Sequence, residues 1–522
     1  MAGTKADSLT RRWLGLPEDV RAALRLGFTG KAHLLDVAGR CLAADGPDLS
    51  AVAADALEAA VRENPLDGAM ARDILASAQA RSLLHPATSA RLALLADRWR
   101  PPADLRAYQA VQAGRDFAAI KAYVGEQAAS QPGNLFWVEQ GVLAGCMDGD
   151  KDFCAKVIKF GMGNGVDELL EGASIRVDGL FFPRGRPDGE ALCRRAAENF
   201  WNIGLVLRAF DNVSGAGGRR KLLPESVAVC LYTWNKADEL DATLASLAES
   251  GLDRASLFVL DNGSTDHTGE VLDRWRSRFA DRLGAGRFTV VTLPVNVGAP
   301  AARNWLMHRE DVRAHGFVCF LDDDVELPPD WLARLGAAVA EYPAAGVWGC
   351  KVVDHANSLL IQSADGHLLP APDKSMDLSR PAPHPFRLSD LHIRTLDGGD
   401  FDYLRPCASV TGCCHLFRAG TLADSGDFAI QLSPSQYDDM EHDLRLCEAG
   451  LFPVYQGHLA VRHKKRTGAA SRVNPLEEGS ALGNKYKMQA MHAPADILAA
   501  AEAEARLLDE DILRKLAFLE RA

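Results

Sequence analysis

The sequence has no excess of positive charge and no long apolar run. Its 58 Lys and Arg residues are outnumbered by 70 Asp and Glu residues, which gives a formal net charge of −12. A chain with this balance is not expected to bind nucleic acid, because neutralising phosphates requires a basic surface. No stretch approaches the roughly 18 apolar residues that a membrane-spanning helix needs.

Two further absences concern location and redox chemistry. The first residues, MAGTKADSLTRRW, lack the apolar core of a signal peptide, which predicts a cytoplasmic protein. The cysteines number eleven, and no C-x-x-C pair occurs among them. We therefore expect reduced, structural thiols, including the adjacent Cys413 and Cys414, since neighbouring cysteines rarely reach disulfide geometry.

The composition that is present belongs to an ordinary globular protein. The chain has 522 residues, of which 47% are hydrophobic and 25% charged, and this length predicts about three domains. Residues 1–222 are rich in Ala, Leu and Arg at helical spacing, which predicts an all-helical domain. Its end, residues 211–224, is Gly-rich and basic, and we interpret it as a linker.

The helical part contains one weak internal repeat. The segment from Gly114 (GRDFAAIKAYV) resembles the segment from Gly149 (GDKDFCAKVIKF), with a Pro-Gly-Asn turn between them. Two interpretations stay open: tetratricopeptide-type helical hairpins, or an irregular helical bundle. Either arrangement would offer a surface for a protein partner or for self-association.

From Val227 onward, short apolar strands alternate with helical segments. This alternation predicts an α/β domain, residues 223–480, with a mainly parallel sheet. Five prolines between Pro370 and Pro385 predict a long loop within it. The remaining residues, 481–522, predict a helical extension whose acidic amphipathic helix packs on the protein body or on a partner rather than on a membrane.

Polar residues follow several of the predicted strands, at the edge where parallel sheets bind ligands. The strongest signal is the run Asp322-Asp323-Asp324 directly after an apolar strand. Three adjacent carboxylates repel one another, and a divalent cation relieves that repulsion. Hard oxygen ligands favour Mg²⁺ or Mn²⁺. The alternative is a solvated acidic turn.

Several blocks in this region, over roughly residues 225–470, resemble the family 2 glycosyltransferases, which have the inverting GT-A fold. The blocks are VAVCLYTWNKADELDATLASL, FVLDNGSTDHTGEVL, LPVNVGAPAARNWLM, FLDDDVELPPDWLARL, SVTGCCHLFRAGTL and SQYDDMEHDLRLCEAGLFPVYQGHLAVRHK. The resemblance implies a GT-A domain with a mainly parallel mixed sheet, preceded by an all-α domain and followed by a C-terminal helix.

The resemblance also implies an activity. A metal-dependent, inverting transferase would move a sugar from a nucleotide-diphosphate donor to an acceptor hydroxyl. The acceptor would be a glycan, lipid-linked or protein acceptor, most simply a surface-polymer precursor. The alternative is a catalytically inactive, transferase-like scaffold or binding protein with helical repeats. A dehydrogenase-type nucleotide enzyme is disfavoured, because no G-x-G-x-x-G follows the first strand.

Five residues match the family's donor-binding positions. The resemblance implies that Thr233 contacts the base and that Asp261 accepts a hydrogen bond from the base N3–H, which favours a UDP or dTDP donor. Arg303 would reach toward the nucleotide, with a helix-surface arginine as the alternative. Asp322, near the ribose, and Asp323 complete this nucleotide-sugar set.

The remaining matches concern the metal and the chemistry. Asp324 and His463 match the metal ligands, for Mn²⁺ or Mg²⁺. Asp439 matches the catalytic base, and Glu441 is a rival for that role because it lies close by in the same acidic run. We expect His442, within that run, to be an ordinary exposed helix residue.

Two positions depart from the family pattern. Tyr232 stands where most relatives have Pro, and Asn262 replaces the second Asp of the usual pair. Neither change is expected to remove a ligand.

Overall fold

The computed structural model describes residues 8–182, 188–370, 386–465 and 475–521. In this part of the chain, the first fourteen helices form a helical region before the first strand. They are α1 (Leu9–Gly15), α2 (Glu18–Leu26), α3 (Lys31–Ala43), α4 (Leu49–Glu63), α5 (Gly68–Ala76), α6 (Ala78–Leu83), α7 (Pro86–Arg98), α8 (Arg106–Ala113), α9 (Phe117–Ser130), α10 (Leu135–Asp148), α11 (Lys151–Gly161), α12 (Asp167–Phe181), α13 (Gly189–Glu198) and α14 (Ile203–Val213).

An α/β region follows. Its strands are β1 (Val227–Thr233), β2 (Ala255–Asp261), β3 (Phe288–Thr292), β4 (Phe317–Leu321), β5 (Val325–Glu326), β6 (Val347–Asp354), β7 (Ile361–Ser363), β8 (Leu368–Pro370), β9 (Phe386–Leu388), β10 (Leu404–Pro406), β11 (Cys414–Arg418) and β12 (Val454–His463). Its helices are α15 (Ala237–Ala248), α16 (Thr268–Leu283), α17 (Ala299–Met307), α18 (Glu310–Arg313), α19 (Trp331–Glu341), α20 (Ala419–Ser425) and α21 (Asp438–Glu448). The chain ends with α22 (Pro475–Met491) and α23 (Pro494–Leu519).

The main sheet has the strand order β10-β12-β6-β11-β4-β1-β2-β3. Strands β4, β1, β2 and β3 are successive parallel neighbours, β6 and β12 form a second parallel pair, and β11 lies antiparallel between β4 and β6. Strands β8 and β9 form a separate antiparallel pair. The predicted α/β class, with a mainly parallel mixed sheet after a helical region and before a C-terminal helix, is confirmed. The central residues of the predicted proline-rich loop, 371–385, lie outside the described residues.

Strand β1 shows why this sheet needs layers on both faces. Val227, Val229 and Leu231 belong to the core under α15, α16 and α19, whereas Ala228 and Cys230 belong to the core on the opposite face. All five are 0% exposed. A parallel strand covered on both faces reads as a continuous apolar run, as this one does.

The internal repeat corresponds to two capped helices. Asp116 caps α9 by accepting from Ala118 N (3.0 Å), and Asp150 caps α11 by accepting from Phe153 N (2.9 Å). Between them, α10 packs against both helices. This pairing is compatible with either of the two interpretations left open by the sequence.

The helical region shares its core with the sheet. One continuous cluster of buried side chains runs from Trp13 and Trp137 of the helices to Phe320 of β4 and Phe417 of β11. The segment between α14 and β1, expected as a linker, also packs: Lys221 N donates to Ala333 O of α19 (2.9 Å). The proposed boundaries 1–222, 223–480 and 481–522 therefore separate parts that are in extensive contact.

The last helix closes this assembly. The four apolar positions of its predicted stripe, Leu508, Ile512, Leu516 and Leu519, are at most 6% exposed. On the same helix, Asp509 accepts from Trp13 Nε1 (3.1 Å) and Arg25 Nη2 (2.7 Å). Helix α23 thus packs on the protein body, one of the two outcomes expected from its sequence.

Two expectations from composition can be compared with the fold. Among the described residues, no helix is both long and apolar enough to cross a bilayer. All eleven cysteines are free thiols, as predicted, and all but Cys193 are buried.

Asp211 links the helical region to the sheet through hydrogen bonds, and we expect its substitution to lower the stability of the protein. The side chain is 1% exposed, and its Oδ2 accepts from Leu404 N (2.8 Å) and His458 Nε2 (2.7 Å). Asp211→Ala leaves both groups without their acceptor and should lower the free energy of unfolding by about 1–3 kcal/mol. Urea denaturation measures this, with Asp281→Ala on the exposed surface of α16 as the control. Equal losses in the two variants would contradict the role of Asp211.

Candidate active site

A cavity of about 670 Å³ opens beyond the carboxyl ends of β1 and β4. It is bordered by β8, β9, α21, α22 and the ends of β11 and β12. The acidic and histidine side chains among its lining residues are Asp322, Asp323, Asp324, Asp390, Asp438, Asp439, His392 and His463. The sequence-predicted metal and base residues therefore border one cavity.

Lys236 neutralises part of the acidic run after β4. Its Nζ lies 3.0 Å from Asp323 Oδ1 and 3.0 Å from Asp324 Oδ2. Burial raises the pKa of Asp323 to about 6, although the Lys236 ammonium opposes this rise. Both carboxylates are buried, at 6% and 3% exposure. The interpretation as a solvated acidic turn is therefore wrong for these two residues.

His463, the last residue of β12, reaches the same run from the side. Its Nε2 is 3.0 Å from Asp324 Oδ1, and its Nδ1 is 2.7 Å from Gln362 Oε1. Burial alone would raise the pKa of Asp324, but the hydrogen bond and charge of His463, together with Lys236, hold that pKa below its usual value. Gln362 Oε1 accepts a hydrogen bond from Nδ1–H of His463, which orients the ring so that Nε2 faces the carboxylate of Asp324.

Asp322 lies on the cavity side of these groups. The Tyr232 hydroxyl donates a hydrogen bond to Asp322 Oδ1 at 3.2 Å, so the tyrosine that stands where the resemblance implies proline orients a carboxylate. Asp322, Cys413 and His463 each direct one potential ligand atom to within 4.8 Å of the others. Asp324 Oδ1 and His463 Nε2 are separated by the distance of neighbouring ligands on one ion with ~2.1 Å bonds. The residues present fit a divalent cation.

Asp439 is held at the cavity wall by the backbone. Its Oδ2 accepts from Gly412 N (2.6 Å), and its Oδ1 accepts from Met440 N (2.9 Å). A Cβ on Gly412 would lie 2.4 Å from Arg303 Nη2 and 3.0 Å from Asp439 Oδ2. Only glycine fits at position 412 without displacing one of these groups.

The turn before α21 adopts an uncommon conformation. Gln436 and Tyr437 both have positive φ, at 81° and 70°. Such backbone is costly for residues other than glycine and is concentrated at functional sites. Here it places the first two residues of α21, Asp438 and Asp439, beside the cavity.

Arg303 lies below these two aspartates and is 3% exposed. Its Nη1 is 2.5 Å from Asp438 Oδ2, and its guanidinium carbon lies 5.2 Å from the ring centres of Tyr232 and Phe428. Burial raises the pKa of Asp438, and the Arg303 charge opposes this rise. Arg303 thus pairs with α21 rather than lying on a helix surface; its contact with a nucleotide stays a prediction.

The other acidic residues of α21 are engaged within the protein. Glu441 is 3% exposed and pairs with Arg445, Oε1 to Nε at 2.9 Å. Asp443 is 0% exposed, accepts from Val410 N (2.9 Å) and lies 2.9 Å from His415 Nε2. Neither lines the cavity, whereas Asp438 and Asp439 do. Asp438 is buried against Arg303, so Asp439 is the half-buried carboxylate of this run at the cavity.

His442 is not the exposed helix residue that we expected. It is 0% exposed, and its ring stacks on Phe428 with 4.6 Å between ring centres. Its Nε2 lies 3.0 Å from Ser425 Oγ, and burial holds the His442 pKa well below its usual value. The residue is part of the core behind the site.

Thr233 and Asp261 lie opposite each other at the carboxyl ends of β1 and β2. Asp261 is 6% exposed, and its Oδ1 accepts from Ser264 N (2.9 Å). Next to it, Asn262 donates Nδ2–H to Asn296 Oδ1 (2.9 Å) and accepts from Val297 N (2.9 Å). The amide at position 262 therefore holds the loop after β3, using a donor that the family's usual Asp lacks.

Four residues that contribute to the candidate site were not identified as such from the sequence: Lys236, Gln362, Gly412 and Cys413. Their partners lie between 27 and 101 positions away along the chain. Lys236 and Gly412 stand inside the recognised blocks, so their positions were a usable signal. Gln362 lies in no block.

Residues 228–411 match the sequence model described as glycosyl transferase family 2. No curated protein sequence matches the chain.

Solved structures also show local similarity. A structure of GalNAc-T7 with UDP, GalNAc and Mn²⁺ is 16% identical, with a TM-score of 0.37, and the match covers 51% of this chain and 47% of that one. S. aureus TarS is 18% identical over 46% of this chain and 36% of its own, with a TM-score of 0.30. The mannosyltransferase PcManGT from Pyrobaculum calidifontis, in complex with GDP-Man and Mn²⁺, is 16% identical over 60% and 86%, with a TM-score of 0.32. This chain thus spans about half the length of the first of these structures.

The buried Arg303–Asp438 pair yields a stability prediction. Arg303→Met leaves the Asp438 carboxylate buried without its cation and should cost about 3–5 kcal/mol of unfolding free energy. Adding Asp438→Asn removes the stranded charge and should recover part of that loss. Arg309→Met is the control, because Arg309 pairs with Asp311 near the surface and should cost less than about 1 kcal/mol. Chemical denaturation of these three variants and of the single Asp438→Asn variant tests this. Additive losses in the double variant would contradict it.

Proposed function

We propose that this chain, whose residues 228–411 match the glycosyl transferase family 2 model, transfers a sugar from a nucleotide-diphosphate donor to an acceptor hydroxyl with inversion. The observation that carries the proposal is the convergence on one cavity of a candidate cation site and a separate, accessible carboxylate. The first is formed by Asp322, Asp324 and His463, and the second is Asp439. A sugar transfer needs both: a cationic partner for the leaving diphosphate and an acceptor for the hydroxyl proton.

The nucleotide would lie over the ends of β1 and β2. One carboxylate oxygen of Asp261 accepts a hydrogen bond from Ser264 N. The other would accept a hydrogen bond from the N3–H of uracil or thymine. This argues for a UDP or dTDP donor. Thr233, adjacent in register, would pack against the same base. Asp322, which lines the cavity, would lie near the ribose.

The cation would be Mn²⁺ or Mg²⁺, held by Asp324 and His463 with Asp322 alongside. When bound, it would neutralise the charge that develops on the departing diphosphate. Lys236 already contributes one positive charge to Asp323 and Asp324, and Lys465 lines the same cavity. Both ammonium groups would support the diphosphate.

Asp439 would act as the base. As the acceptor oxygen forms its bond to the anomeric carbon, the bond from that carbon to the diphosphate oxygen breaks, and the hydroxyl proton passes to Asp439. Gly412 N–H and Met440 N–H keep this carboxylate oriented before substrate arrives. Attack opposite the leaving group inverts the anomeric centre.

A thermal-shift series tests donor recognition. The full chain is heated with UDP, dTDP or GDP, each with Mn²⁺ and with EDTA. A ligand that binds only the folded state stabilises it by RT ln(1 + [L]/Kd). We expect UDP or dTDP to raise the Tm in the presence of Mn²⁺. No shift with any nucleotide would support the inactive-scaffold alternative.

The base assignment predicts the effect of Asp439→Asn. The amide keeps the size of the side chain but cannot take a proton at neutral pH. Release of nucleoside diphosphate from the sugar donor should fall by roughly 10² to 10⁴, while nucleotide and metal affinity are retained. Glu441→Gln is the control, because Glu441 lies in the same helical turn but outside the cavity. An active Asp439→Asn beside an inactive Glu441→Gln would assign the base to Glu441.

The metal site predicts the effect of Asp324→Asn. We expect Mn²⁺ affinity, measured by calorimetry, to fall at least about tenfold. Because the environment of Asp324 lowers its pKa, that environment stabilises the charged form. The metal-free variant should therefore be less stable than the unsubstituted protein near neutral pH, despite reduced carboxylate repulsion. Glu326→Gln, two positions along and exposed, is the matched control. Unchanged Mn²⁺ affinity in Asp324→Asn would exclude this site.

A further inference from the structure

The active-site cavity carries positive charge on the wall formed by β9 and α22. Arg387 of β9 and Lys485 of α22 both line it, and no carboxylate within the described residues lies within ion-pair distance of either one. Gln489, one turn after Lys485, donates to Phe386 O (2.7 Å). This bond fixes α22 against β9 and so brings the two cations to one wall.

Among the described residues, the buried cations are paired with carboxylates. Five cations in the described residues are buried, and each has a carboxylate within 4.0 Å. They are Arg25, Arg303, Lys351, Arg405 and Lys515.

Lys485, half-buried, has no such partner. Burial lowers the Lys485 pKa, and the nearby Arg387 lowers it further, whereas Asp390 opposes the change. The fold therefore places half-buried Lys485 beside exposed Arg387, with no carboxylate of the described residues in ion-pair distance of either. A bound anion would stabilise this arrangement.

This wall also borders a second cavity. That cavity, of about 730 Å³, lies between the helical region and the β8–β9 sheet. The two cavities share Leu369, Arg387, Ser389 and Asp390 as lining residues. Arg387 thus stands where a molecule with one end at Asp439 would leave the active-site cavity and continue along the helices.

We propose that Arg387 and Lys485 form an anion-binding subsite for the acceptor, which would be an elongated molecule carrying a phosphate or carboxylate group near its reacting hydroxyl. The subsite rests on the proposed transferase function. The donor diphosphate already has its own partners in the cation site, Lys236 and Lys465. The Arg387–Lys485 wall belongs to β9 and α22, elements that contribute no residue to the donor set.

Titration of two simple anions tests the subsite. Inorganic phosphate and glucuronate are titrated by calorimetry into the full chain saturated with Mg²⁺ and the nucleoside diphosphate that gave the thermal shift. With the donor site filled, we expect one of the two anions to bind. Arg387→Gln and Lys485→Met should each weaken that binding by about 10- to 100-fold, the range for loss of a charge-assisted hydrogen bond. Phosphate binding would identify a phosphorylated acceptor, and glucuronate binding an acidic sugar.

Lys487→Met supplies the matched control. Lys487 lies on the same helix, and its Nζ contacts Gln431 O (3.2 Å) and Asn484 Oδ1 (3.1 Å) outside the cavity. We expect the Lys487→Met variant to bind the anion with the same affinity as the unsubstituted protein. Absence of binding by both anions, or equal affinity in Arg387→Gln and Lys487→Met, would overturn the subsite.

Nucleotide affinity separates this proposal from the function on which it rests. If Arg387→Gln weakened nucleoside-diphosphate binding as much as anion binding, the pair would serve the donor and the acceptor subsite would be wrong. If no nucleoside diphosphate bound at all, the proposed function would fail. The anion titration on the nucleotide-free chain would then still test the subsite.

Discussion

The structure around the cavity depends on one constraint: several carboxylates lie close together, and each needs a cation or a hydrogen-bond donor beside it. Asp322, Asp323 and Asp324 follow β4, and α21 brings Asp438 and Asp439 to the same place. Burial makes each negative charge costly unless a cation or a donor lies next to it. The surrounding fold supplies these partners one by one, through Lys236, Arg303, His463, the Tyr232 hydroxyl and the Gly412 backbone. Elements as distant in sequence as α15, α17 and β12 are thereby fixed relative to one another.

This constraint also explains which features were visible in the sequence. Strand ends, helix faces and the acidic run are local patterns, so the α/β class, the buried stripe of α23 and the group of residues around Asp322 could all be predicted. The partners were not local. Gln362 orients His463 across 101 positions, and no periodicity or short motif records such a contact.

The failure at His442 has the same origin. In a run of acidic residues at the start of a helix, a histidine is expected to face solvent. Here Glu441 and Asp443 pair inward with Arg445 and His415, and α21 is covered on that side. His442 consequently stacks on Phe428 in the core. Burial of this acidic helix depends on Arg445 within it and on partners from other elements, namely Arg303 of α17 and His415 of β11. The sequence of the helix alone does not reveal these outside partners.

The helical region contributes to the site through the same shared core. Asp211, at the end of α14, accepts hydrogen bonds from groups in β10 and β12, and β12 ends at His463. The other end of this contact surface is the cavity between the helices and β9, which carries Arg387. The parts that share this core thus border both the candidate cation site and the wall that carries Arg387. With a metal at Asp324 and His463 and an anion at Arg387 and Lys485, two anionic groups would bind to different residues of the one cavity. Such separation would keep a donor diphosphate and an anionic acceptor from competing for one subsite.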